Sequence, residues 1–231
     1  MQTPGFNNMP KIQLTPAKIL LITINLIPLY GVWFRGWDAA QVFLVYALET
    51  IIIGVMNVIK LAIVTIFVKP KDEWQNGVSK TSRSGWFFIL FFIMHYGIFV
   101  FVQTQIFFGV SGIIKGGSTF GKYAHIPGAL GDDGILLLFI FIGYHLLQLY
   151  LGFISTGEYK RISMATLMFQ PYVRILVQQF IVILGSMFLS FGLGKVFILI
   201  LVAVIIFFEV LVDYERLLAV GEKKQDEEIN N

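Results

Sequence analysis

Tyr46, Glu49, Asn57 and Lys60 punctuate a largely Ile, Val and Leu run between Gln41 and Val68. Their spacings of three, eight and three residues, at about 100° per residue, place all four within one helical stripe roughly 80° wide. A charge at the centre of a bilayer costs about 2.5–3.5 kcal/mol on insertion scales, so a stripe of this kind has to face protein or water. Glu49 and Lys60 are eleven residues apart, about 16 Å along a helix axis, and cannot pair with each other. Each is therefore expected to find its partner on another helix.

The candidates sort by depth. Lys60, Arg174, Glu209 and Asp213 are predicted to form a cluster of two cations and two carboxylates toward the cytoplasmic side, while Glu49 is predicted to lie nearer the outside with Asn25, Gln103 and His145. Glu49 is the group expected to change protonation. His95 and His145 raise the question of a metal, but such a site wants three or more convergent ligands, and neither histidine lies in an H-x-x-x-H or H-E-x-x-H pattern. No metal and no cofactor are expected. Taken singly, the amides Asn25, Gln103, Gln105, Gln148, Gln178 and Gln179 read first as interhelical adhesion, worth about 0.6 kcal/mol each.

The elements that would carry these residues are long apolar helices. The 231 residues are 57% hydrophobic and 13% charged, against roughly 45–50% and 25% in soluble domains. With about 20 apolar residues per crossing, the chain is predicted to be an all-α bundle of six transmembrane helices, near 17–34, 41–68, 85–108, 134–156, 171–191 and 195–213. Residues 1–16 and 214–231 flank this domain as a short N-terminal segment and a polar tail. Eleven Lys and Arg fall on one side: Lys11, Lys18, Lys69, Lys71, Lys80, Arg83, Lys160, Arg161, Arg216, Lys223 and Lys224. Four, Arg35, Lys115, Lys122 and Lys195, fall on the other. The excess of positive residues marks the cytoplasmic side, so both termini are expected inside. The net charge of +3 reads as a topology signal, with lipid as the partner and no nucleic acid. The absence of cysteine excludes disulfides, thiolate metal sites and a thiol nucleophile.

Two strings in the connection between the third and fourth runs imitate catalytic motifs. GVSG at Gly109–Gly112 and AHIPG at Ala124–Gly128 resemble the serine and histidine motifs of rhomboid intramembrane proteases. In that family, however, the two residues sit on helices two spans apart, whereas Ser111 and His125 are 14 residues apart in one connection. GGSTFGKY at Gly116–Tyr123 matches a phosphate-binding loop except that Tyr123 stands where a magnesium-binding Ser or Thr is required. The connection reads as a surface loop, or, from its apolar Val110, Ile113, Ile114, Phe120, Ile126 and Leu130, as a lid over the bundle.

The stretches NLIPLYGVWFRGW (Asn25–Trp37), YALETIIIGVMNVIKL (Tyr46–Leu61), HYGIFVFVQ (His95–Gln103) and PYVRI (Pro171–Ile175) together resemble a bacterial polytopic membrane family classed as a domain of unknown function. The resemblance covers nearly the whole chain and implies a bacterial inner-membrane location, with Asn25, Glu49, Gly54, Lys60, His95, Tyr96 and Arg174 on motif positions. It also implies that Gln103 and Gln179 stand where relatives carry histidine, which weakens a metal-dependent reading. Three functional classes follow. The first is a carrier or channel for a small solute, ion or proton, with Glu49 as its titratable group. The others are a membrane enzyme using His95, His145 and Glu49 as acid and base, and a scaffold or accessory subunit. Homo-oligomerisation stays open.

Overall fold

The computed structural model describes residues 16–69, 72–76, 79–114 and 116–207. Helix α1 (Pro16–Phe34) opens on a proline, which suits the first helical position because its missing N–H has no partner there anyway. The chain then reverses through Gly36 at φ 75°, and Trp37 donates its N–H to the Gly31 carbonyl at 3.1 Å. The Trp37 ring lies across Gly31, where any larger side chain would collide with it. Asp38 caps helix α2 (Ala39–Phe67), its carboxylate accepting from the Ala40 N–H at 2.8 Å.

Between α2 and α3 the expected loop contains a two-stranded antiparallel hairpin, β1 (Asp72–Asn76) with β2 (Ser79–Arg83), in the register Asp72 to Arg83. Helix α3 (Gly85–Ser111) ends on Gly112 in the left-handed conformation, as helix C-termini commonly do. A short helix α4 (Gly121–Ala124) precedes α5 (Ile126–Gln148). Helix α5 begins eight residues before the expected Gly134 and breaks at Gly131, whose φ of 61° interrupts the helical path. It continues into a π-helical segment, Leu149–Ile154, with the i→i+5 bond from Ser155 N–H to the Tyr150 carbonyl at 2.8 Å. Ser163 caps α6 (Met164–Ser190) by accepting from the Thr166 N–H at 3.1 Å. This start lies seven residues before the predicted Pro171, so that proline is inside the helix. After a turn through Gly192, α7 (Gly194–Ile206) runs to the end of the described residues.

Helix α2 is the hub, packing along α3, α5 and α6 and touching α7. Every residue from Val42 to Thr50 is buried, so this half of α2 is enclosed on all sides and not along one stripe only. Further along, Ile51 and Val55 are exposed while Asn57 is buried, as the stripe requires. Helices Ala39–Phe67, Gly85–Ser111 and the continuous Ile126–Ile154 are long and apolar enough to cross a membrane. Lys18–Phe34 and Gly194–Ile206 are shorter apolar helices.

The apolar interior divides in two. Phe43, Leu44, Phe107, Leu130, Phe141 and Ile198 belong to one cluster, toward the end of the bundle that carries residues 112–130. Leu61, Val64, Phe88, Phe92, Phe153 and Met164 belong to the other, toward the hairpin. The connection at 112–130 is part of the first cluster, with Ile114 and Leu130 buried, and so is packed down on the bundle.

Candidate functional site

Polar residues fill the level where one apolar cluster gives way to the other. On α2, Leu48 belongs to the first cluster and Ile53 to the second, with Glu49 and Thr50 between them. On α5, His145 lies between Phe141 and Leu149, and on α3 Gln103 and Thr104 lie between Val100 and Phe107. All five polar residues are buried. Three helices thus change from apolar to polar at one depth, and the result is a layer across the waist of the bundle.

The centre of that layer is an acid–imidazole pair. Glu49 Oε1 lies 3.0 Å from His145 Nε2, and the two residues are 2% and 8% exposed. One turn nearer the 112–130 end, the Tyr46 hydroxyl donates to Asn25 Oδ1 at 3.3 Å. Asn25 in turn donates to the Leu21 carbonyl at 3.0 Å, and the Tyr46 ring meets Phe141 edge-on. Tyr46 and Glu49 on α2 therefore face Phe141 and His145 on α5 through matching helical turns.

On the α3 side, the Tyr96 hydroxyl donates to the Thr50 carbonyl, and its ring occupies the space left by Gly54. Thr50 and Thr104 turn their hydroxyls to carbonyls of their own helices, Ala47 and Val100, and so are satisfied locally. Gln103 differs. It is 4% exposed, and among the described residues neither its amide oxygen nor its amide nitrogen has a hydrogen-bond partner. A buried amide without partners is costly, by about 1–3 kcal/mol, and is the kind of group that meets water or a solute.

The other predicted residues separate. Asn57 is buried with its amide nitrogen unpartnered among the described residues, and Lys60 is half-buried with its ammonium 5.3 Å from the Phe153 ring. Phe153 belongs to the π-helical segment. Glu209, Asp213 and the side chain of Arg174 lie outside the described residues, and with them the expected cationic cluster. His95 does not join Glu49 and His145. It is exposed on α3, with Nδ1 2.8 Å from the Tyr172 hydroxyl, so the trio considered for acid–base or metal chemistry is not assembled. Among the described residues no three His, Asp or Glu side chains come together as a metal site would need.

The loop strings do not assemble either. Ser111 Oγ accepts from the Ile113 N–H at 3.4 Å while His125 is exposed. Tyr123 of the glycine-rich string accepts from Gln105 Nε2 at 3.2 Å and packs on Phe101. Two features carried no sequence signal: the Tyr172 partner of His95, and the π-helical segment.

Fold and site together define a helical protein with helices fit to cross a membrane and an acid–imidazole pair buried at its waist. Residues 7–229 match the model of a family described as a family of unknown function, DUF6498, and the chain belongs to that family. No curated protein and no solved structure matches it at a significant level.

Proposed function

We propose that this protein is a polytopic membrane carrier or channel for a small solute or ion, in which Glu49 and His145 hold an exchangeable proton at mid-depth. The proposal takes the bundle as six crossings with both termini cytoplasmic. The observation that carries it is the 3.0 Å contact between Glu49 Oε1 and His145 Nε2 inside a layer whose Gln103 amide has no partner among the described residues. A proton shared by two buried titratable groups is gained or lost by the pair as a unit. Each gain or loss changes the charge at the waist by one. A polar or charged solute arriving beside Gln103 would shift that balance, which is the coupling a proton-linked carrier uses.

Adhesion alone would be met more cheaply by apolar packing, since replacing a buried ion pair with well-packed hydrophobic residues is often neutral or stabilising. The direct test uses proteoliposomes with an entrapped pH dye and an imposed pH gradient, in sodium and in potassium buffers. Wild-type protein is expected to dissipate the gradient at least tenfold faster than Glu49→Gln, with both variants showing the same thermal midpoint. Wild-type vesicles no faster than protein-free vesicles, or Glu49→Gln matching wild type while Glu49→Ala unfolds, would make the pair structural and leave the scaffold reading.

A further inference from the structure

His95 stands apart from the Glu49–His145 pair, exposed on α3 beside Tyr172. Helix α3 spans Gly85–Ser111, so its midpoint is residue 98, and His95 lies three residues away, about 4.5 Å along the axis. Trp86, exposed near the start of the helix, is nine residues or about 14 Å from it. Because α3 is long and apolar enough to cross a membrane, His95 falls deep in a hydrocarbon core about 30 Å thick. Its side chain is exposed there, among Phe91, Met94, Ile98 and Phe169, which are exposed as well. Polar groups within membrane helices almost always face the interior of the bundle, so an imidazole facing outward at this depth calls for a ligand.

The site is built on two sides. The Phe91 ring stacks on the imidazole at 5.5 Å between centroids and 10° between planes, and Tyr172 crosses it at 5.4 Å and 46°. Tyr172 is held in turn by Phe92 and Tyr96, which meet it edge-on. The Tyr172 hydroxyl lies 2.8 Å from His95 Nδ1, which leaves Nε2 without a partner among the described residues. When the hydroxyl donates to Nδ1, Nε2 carries the proton and donates outward. When Nδ1 donates to the hydroxyl oxygen, Nε2 is an acceptor and the tyrosine O–H is released as a donor.

We propose that this surface binds the headgroup of a membrane-soluble quinone. Phospholipid ester and headgroup atoms lie at the edge of the hydrocarbon, about 15 Å from the midplane, and acyl chains have nothing to accept a hydrogen bond. A quinone dissolved in the bilayer brings a carbonyl for Nε2–H and a flat apolar ring to pack among the exposed Phe91, Met94, Ile98 and Phe169. The two tautomers of the His95–Tyr172 pair match the carbonyl of the quinone and the hydroxyl of the quinol in turn. A second copy of the chain is the weaker fit, because close approach of membrane helices favours small residues and the residues around His95 are bulky.

The test is saturable binding to the full chain in phosphatidylcholine nanodiscs, using a decyl benzoquinone and a short-chain naphthoquinone, each titrated by radiolabel and by thermal shift. Wild type is expected to bind at least one of them, His95→Phe to lose at least tenfold in affinity with an unchanged ligand-free midpoint, and His95→Gln, which restores a donor, to stay within about threefold. Glu49→Gln is expected to bind as wild type does, which keeps this proposal separate from the carrier reading. No saturable binding of either quinone, or equal binding by His95→Phe, would overturn it. So would a wild-type dimer that His95→Phe converts to a monomer, since the surface would then belong to a second copy.

Discussion

At the scale of single residues the waist makes two energetic predictions. Removing one member of a buried pair strands the other, at about 3–5 kcal/mol, so His145→Ala is expected to lower stability by that order, while Glu49→Gln, which keeps a hydrogen-bonding partner for the imidazole, is expected to cost far less. A double-mutant cycle in detergent, with the Glu49→Gln/His145→Ala double variant, should return a coupling above the 0.5 kcal/mol expected of independent sites; strict additivity would mean that the two residues do not act as a pair. Gly54→Ala drives a methyl group into the Tyr96 ring, and overpacking of this kind costs about 1–3 kcal/mol, readable as a lower unfolding midpoint. Glu49 was legible in the sequence because a carboxylate stands out in an apolar run. The outward direction of His95 was not, since α3 carries Phe, Ile or Val on every face and its periodicity gives no direction.

At the scale of elements, the boundaries that sequence placed well are those with chemical punctuation. The α1–α2 turn has its Arg35, Gly36 and Asp38, and the start of α3 follows Ser84. The start of α6 differs because Pro171 reads as a beginning, whereas the capping residue is Ser163 and the proline lies inside the helix. The π-helical segment has no signature in residue types, being one residue more than an α turn needs. Deleting the exposed Tyr150 should return Leu149–Ile154 to α geometry and turn Phe153 away from Lys60, with a fall of several degrees in the thermal midpoint; an unchanged midpoint would show that the Lys60–Phe153 contact contributes nothing. The hub character of α2 also refines a cysteine scan. A water-soluble thiol reagent is expected to reach cysteines at 57 and 60 ahead of those at 51 and 55, which a lipid-soluble reagent should label first. Equal labelling of the two pairs by both reagents would remove the distinction between a wet face and a lipid face.

At the scale of the whole molecule, the proposed six-crossing arrangement predicts that the hairpin and the 112–130 connection lie on opposite sides of the membrane. A cysteine at Ser79 should be labelled by an impermeant maleimide only in opened cells and one at Ser118 in intact spheroplasts; the same pattern at both would overturn the topology. The assembly of the waist has a consequence for synthesis. Glu49 meets a partner 96 residues further along the chain, and at roughly 5–20 residues per second the ribosome needs about 5–20 seconds to make it. On the proposed membrane topology the nascent carboxylate enters the translocation machinery or the bilayer before His145 exists, and this helix is expected to be retained or shielded by an insertase until α5 arrives. Ribosome-stalled chains ending before residue 145 should therefore remain crosslinked to the insertion machinery through α2, and Glu49→Leu should release them early.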